Sequence, residues 1–173
     1  MYICAYFNNP YTMEDQSETG CCPRFNPEPW DKKAFVWTDK LFVKEHNPAI
    51  MHIPLGMGKM MKRVMGSIDK HQAITDMKDF VMLSHDPSPW KCEHLIGVNR
   101  EVPGLRHERL SGQFLTKVYE GPYRDARKWC TDMQRYVAAE GKNLKKLYFY
   151  YTTCPKCAKV YGKNYVVGVA QLA

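Results

Sequence analysis

The feature that most constrains this chain is an order of elements that occurs twice. From Ile50 the pattern reads strand, helix, strand, strand through Ile50–Pro54, Gly56 to about Gln72, Phe80–Leu83 and Cys92–Val98. The same order returns in Phe114–Tyr119, Pro122 to about Ala139, Leu147–Thr152 and Tyr165–Leu172. Met57, Met60, Met61, Val64 and Ile68 keep a helical period in the first copy, as do Ala126, Trp129, Cys130, Met133 and Val137 in the second, so each helix has one apolar face. Pro122 suits a first helical turn and Gly141 a left-handed helix end. A glycine also stands at each strand-to-helix turn, in Ile53-Pro54-Leu55-Gly56-Met57 and in Tyr119-Glu120-Gly121-Pro122-Tyr123. Two strands follow each helix, whereas a doubly wound parallel sheet needs strict alternation. The expected fold class is α+β: a duplicated strand-helix-strand-strand unit forming an antiparallel sheet with two helices on one face. The 173 residues then build one core from two halves, about 49–104 and 105–173.

The first 48 residues have another texture. Asn8-Asn9-Pro10, Gly20-Cys21-Cys22-Pro23 and Phe25-Asn26-Pro27-Glu28-Pro29-Trp30 crowd turn-forming residues together, which predicts an irregular N-terminal arm over 1–48. Its aromatic rings, among them Tyr2, Phe7, Phe25, Trp30, Phe35 and Trp37, favour packing across the body at 49–173 over exposure to water. A hydrophobic fraction of 45% excludes a disordered chain, and no apolar run reaches the length of a membrane span. Met1–Asn9 lacks the pattern of a signal peptide, so the expected location is cytoplasmic, with no membrane partner. The net charge of +7 is spread over single residues and pairs such as Lys32-Lys33 and Lys145-Lys146. With no basic block and no nucleic-acid motif, it reads as a solvated surface and no nucleic-acid partner is expected. The oligomeric state is left open.

Phe114-Leu115-Thr116-Lys117-Val118-Tyr119-Glu120-Gly121-Pro122-Tyr123, followed by the Trp129 helix and by Tyr148-Phe149-Tyr150-Tyr151, resembles the second half of the gyrase-inhibitor-like small-molecule-binding domain. Cys21–Asp31 and Tyr151–Lys159 further resemble a bacterial and archaeal subgroup often labelled hydrolases. The resemblance implies a pseudo-twofold pair of units with a groove between them that receives small, flat, apolar and often cationic compounds. Relatives serve as effector-binding domains, as gyrase inhibitors, or as hydrolases of reactive cyclopropane toxins. No helix-turn-helix precedes the repeat, which points to a stand-alone binder or a detoxifying enzyme. Family members commonly carry a groove-facing glutamate on the closing strand; Tyr165-Val166-Val167-Gly168-Val169-Ala170-Gln171 has none, and Glu120 is the nearest replacement.

For ligand binding the candidates are Trp37, Tyr119, Tyr148, Tyr151 and Met57: flat faces with polar edges, and a flexible thioether wall. On an alternating strand Tyr148 and Tyr150 share one face while Phe149 and Tyr151 share the other. Hydrolysis of an activated ring would need a group to activate water, for which Glu120 is the candidate, and a proton donor, for which Tyr123 or Tyr150 would serve. Against these roles stand plain ones: core and surface tyrosines, and a solvated glutamate near a helix N-terminus.

Seven cysteines are many, and four fall in two motifs. Cys154-Pro155-Lys156-Cys157 directly follows an apolar strand, as in thiol oxidoreductases, but too little chain follows it for a thioredoxin-like fold. With Cys21 and Cys22 it could instead supply ligands to structural zinc, the one cofactor that the sequence suggests. A thiol-redox or zinc protein centred on Cys21, Cys22, Cys154 and Cys157 is therefore the rival reading, set against reduced, unligated thiols lining the site, and a partner-binding module is the third.

Overall fold

Seven strands and three helices follow one another in a computed structural model that describes residues 18–19, 22–74 and 80–173. Strand β1 is Ala34–Ile50 and β2 is Ile53–Pro54; helix α1 is Met57–Lys70; β3 is Met82–Ser88 and β4 Lys91–Gly97. The second half holds β5 (His107–Glu120), α2 (Ala126–Ala139), β6 (Leu144–Tyr151), α3 (Pro155–Tyr161) and β7 (Tyr165–Leu172).

The repeated order is present, and its pairing repeats with it. In each half the last strand lies between the first and the middle one, as β1-β4-β3 and as β5-β7-β6. Two antiparallel seams join the halves, β3 with β6 and β1 with β5. The sheet therefore closes into a barrel of six strands, with β2 added beside β1. Closure changes the expected picture of a sheet with two helices on one face. A closed sheet has an inside and an outside, and the helices pack outside.

Side chains sort by strand alternation. Phe42, Leu83, Leu95, Leu110, Phe114, Tyr148, Val167 and Val169 form the barrel interior. Val43, Met82 and Ile96 point outward to meet Met57, Met60, Met61, Val64, Met65 and Ile68 of α1. Leu115 and Ala170 likewise meet Met133 and Val137 of α2, and Phe149 and Val166 meet its Trp129. Gly121 has a φ of 148°, where a side chain is strained, and Gly141 ends α2 at φ 67° as its sequence position predicts.

Three expectations are corrected. The irregular arm ends at Lys33, not at residue 48, because residues 34–50 form β1, the strand that pairs with both β4 and β5. Its alternation is masked in the sequence by an irregularity between Trp37 and Lys40, where Asp39 takes a positive φ of 49°. Next, Pro122 is extended and precedes a 3₁₀ turn at Tyr123–Asp125, so α2 starts only at Ala126. Finally, the segment between β6 and β7 is helical: Cys154 accepts the Cys157 amide and Pro155 occupies the first turn, where its missing N–H costs nothing.

Candidate functional site

The arm approaches one end of the barrel. A turn in which Trp30 and Asp31 both donate their amides to the Pro27 carbonyl at 2.9 Å swings Trp30 inward. Thr116 of β5 then donates its amide to Lys33 O at 2.9 Å, and Val118 donates its amide to Asp31 Oδ1 at 3.0 Å. So held, Trp30 lies 5.4 Å from the Phe35 ring and 5.6 Å from Tyr150, and Phe25 meets Tyr150 edge-on at 6.2 Å.

Between these rings and β4 lies a cavity of about 340 Å³, within the range of small-ligand sites. Trp30, Phe35 and Trp37 form its aromatic walls, Val81 and Val98 its aliphatic side, and Lys40 and Asn99 bring polar ends. Trp37 is itself supported by Phe114, with ring centroids 4.2 Å apart. The Lys40 ammonium sits 4.7 Å from the centre of the Trp37 ring, a cation–π contact. Among the described residues no carboxylate lines this cavity. Beneath it Tyr150 donates its hydroxyl to Phe80 O at 3.0 Å, and burial pushes its pKa well above the usual phenol range.

At the other end of the interior the side chains are charged. Lys44 pairs with Glu108 at 2.5 Å, and Glu93 meets both Lys91, at 3.1 Å, and Lys146, at 3.5 Å. Burial alone would raise the Glu93 carboxyl, but the Lys91 hydrogen bond and the ammonium groups of Lys44 and Lys146 outweigh it and hold the pKa below its ordinary value. Tyr148, 1% exposed, caps this network from inside, and Lys146 lies 5.1 Å from its ring centre. Apolar side chains fill the layer between the charges and the cavity. Glu93 and Glu108 follow the phase of Leu95 and Leu110, a signal that becomes readable only once each strand's inward face is known.

The predicted aromatic residues divide between the two faces. Trp37, Tyr148 and Tyr150 are inside. Tyr119, Tyr123 and Tyr151 are outside, around Trp129. Tyr119 stacks on Trp129 at 5.7 Å and donates to Asp132 Oδ2 at 2.8 Å. Tyr123 packs edge-on to Tyr151 at 5.5 Å and donates to Thr153 O at 2.7 Å, with burial pushing its pKa to about 12. Met57 is buried at the start of α1, apart from both groups. Glu120 is half exposed at the end of β5, 3.8 Å from Lys163 Nζ. Glu120, Tyr123 and Tyr150 thus do not converge. Lys40, Val81, Val98 and Asn99 were not legible as lining residues, because β1 and its irregularity bring them together.

The cysteine motifs do converge. The sulfurs of Cys22, Cys154 and Cys157 all lie within 4.8 Å of one another, and all three residues are buried. Such a set could hold a soft metal ion. Cys21 lies outside the described residues. Burial drives the Cys22 and Cys154 thiols above their usual pKa. For Cys157 burial acts the same way, but hydrogen bonds from Thr19, the Cys22 amide and the other thiols prevail and hold its pKa below the ordinary value.

A family model described as bacterial hydrolase matches residues 12–172. No curated protein matches the chain in sequence. Among solved structures, the EcmrR C-terminal domain shares 11% identity at a TM-score of 0.63, covering 83% of this chain and 98% of that one. An uncharacterised conserved protein from Listeria innocua shares 8% identity at a TM-score of 0.59, covering 83% of this chain and 93% of that one. A hydrolase from the same organism shares 10% at 0.57, covering 83% and 92%. At these identities the likeness is one of fold.

Proposed function

This chain belongs to the bacterial hydrolase family, a gyrase-inhibitor-like small-molecule-binding family, and on that premise we propose that it binds small, flat, hydrophobic compounds at the mouth of its barrel. The observation that carries the reading is the cavity of about 340 Å³ with three aromatic walls, Trp30, Phe35 and Trp37. Burying a planar compound there removes apolar area from water at about 25 cal/mol per Å² and adds ring-to-ring contact. Among the described lining residues Lys40 and Asn99 bring polar ends beside the rings, so a planar compound with a polar edge fits the site.

Quenching of tryptophan fluorescence reads binding directly, because Trp30 and Trp37 are walls. Titration with a planar naphthalene dye should give saturable quenching. Trp37→Ala should weaken the dye about tenfold, equivalent to about 1.4 kcal/mol. Val98→Trp should block it by filling the cavity. Unchanged affinity in both variants would place the site elsewhere.

A further inference from the structure

The cysteine cluster has no part in the barrel-mouth reading and stands or falls independently of it. Cys22 comes from the arm, while Cys154 and Cys157 cap and enter α3 near the other end of the chain. A single buried cysteine is an ordinary small apolar residue. Three from two distant segments, at 7%, 2% and 0% exposure and with mutual sulfur distances within 4.8 Å, are a different arrangement. Zinc–sulfur bonds of about 2.3 Å set tetrahedral ligands roughly 3.8 Å apart, so a modest contraction about a common centre completes coordination.

The surroundings fit a metal-bound thiolate. The Cys157 amide points at Cys154 Sγ, 3.4 Å away, across Cys-Pro-Lys-Cys, and an amide donor of this kind stabilises charge on a ligating sulfur. The Thr19 hydroxyl lies 3.1 Å from Cys157 Sγ and is able to do the same. Tyr161 of α3 donates its hydroxyl to the Cys22 carbonyl, which holds the arm's ligand against the helix that bears the other two. Arg24 places its guanidinium 4.6 Å from the Tyr161 ring centre, a second clasp on the same joint. The donor set is all sulfur, which selects a thiophilic ion over magnesium or calcium.

We propose that Cys22, Cys154 and Cys157 bind one zinc ion that fastens the arm to α3. Binding balances without a redox partner: the ion takes the electron pairs of three sulfurs, and each thiol that enters protonated releases its proton to solvent. Three thiolates leave one tetrahedral position for a further donor or water. The consequence is mechanical, because Cys22 is followed closely by Phe25 and Trp30, the rings that pack on Tyr150. Loss of the ion would loosen these rings from the barrel mouth.

The test uses the full chain, purified under reducing conditions without added metal. Metal analysis should find about one zinc per chain, or uptake of about one on titration. Cobalt substitution should give the tetrahedral thiolate absorption bands. Cys22→Ser and Cys154→Ser should each abolish those bands, whereas Cys92→Ser, a buried cysteine outside the cluster, should retain them. Chelation should speed trypsin cleavage after Arg24 at least several-fold. If the serine variants fail to fold, the wild-type cobalt spectrum and the chelation experiment decide the matter. Failure to bind zinc or cobalt at micromolar concentration would overturn the proposal, as would a Cys154–Cys157 disulfide found by mass spectrometry in chain prepared without reductant that still protects Arg24.

Discussion

His94 should make this protein lose stability on mild acidification, by an amount that can be worked out. The side chain is 3% exposed on the outer face of β4, with Nδ1 3.1 Å from Ser84 Oγ. Its Nε2 has no hydrogen-bond partner among the described residues. Burial, opposed only partly by Asp86 and Glu45, pushes its pKa from 6.5 down to about 4. The unfolded chain accepts a proton near pH 6.5, while the folded chain refuses it until about pH 4. The stabilisation of the neutral form is therefore complete above pH 6.5 and drains away as the pH falls through the window between these values. Linkage puts the loss at about 2 kcal/mol by pH 5 and about 3 kcal/mol by pH 4. Urea unfolding of the wild type and of His94→Gln at pH 7.5, 6 and 5 isolates this contribution, since the other titrating groups are common to both chains. The difference between the two should shrink toward pH 5 by about 2 kcal/mol. Parallel curves, or an imidazole that titrates above pH 6 by NMR, would refute the assignment of a buried neutral ring.

Three further outcomes follow from packing. Phe42→Ala empties a position that is 0% exposed inside the barrel and should cost about 3–5 kcal/mol in chemical denaturation; a loss below about 1 kcal/mol would mean that the interior collapses to fill it. Gly168→Ala brings a methyl 3.1 Å from Met133 Sδ and 3.2 Å from Tyr119 Cε2, so it should destabilise by about 1–3 kcal/mol, and Met133→Ala should be less than additive with it. Tyr119→Phe removes the hydrogen bond to Asp132 while leaving the stack on Trp129, and should lower thermal stability by about 1 kcal/mol without changing dye affinity at the barrel mouth.

The parts of the fold that were legible are those that depend on local periodicity. The stripes Met57, Met60, Met61, Val64 and Ile68 in α1 and Trp129, Met133 and Val137 in α2 are buried as their spacing predicts. Gly141 stands at the helix end for the stereochemical reason that its position suggested. Closure was not legible, because it depends on pairing between halves, and two three-stranded sheets carry no mark of which outer strand meets which. β1 was hidden by its own irregularity, as Asp39 and Pro48 both read as turn residues. The cavity was hidden with it: Trp37 was picked out as an aromatic residue, but Lys40 and Asn99 had nothing to distinguish them from surface residues. The barrel's charged end was invisible too, since Lys44, Glu93, Glu108 and Lys146 look like any solvated charges until alternation aims them inward. The cysteines were the reverse case, where chemistry drew attention to two distant motifs before any geometry joined them.

The two seams of the barrel differ in strength. Along β1 and β5 the register runs from Ala34–Leu115 to Val43–His107. Along β3 and β6 only Leu83–Tyr150 and Ser84–Phe149 are in register. A closed sheet pulled apart yields at its shortest seam, and here that seam passes through Tyr150, against which Phe25 and Trp30 rest. Parting it would break few backbone hydrogen bonds and leave each half's own three-stranded sheet intact. Such parting would leave α1 and α2 on their own strands while exposing the interior packing of Leu83, Tyr148 and Val167. It would resemble the opening of a clasp, with the arm resting on the catch.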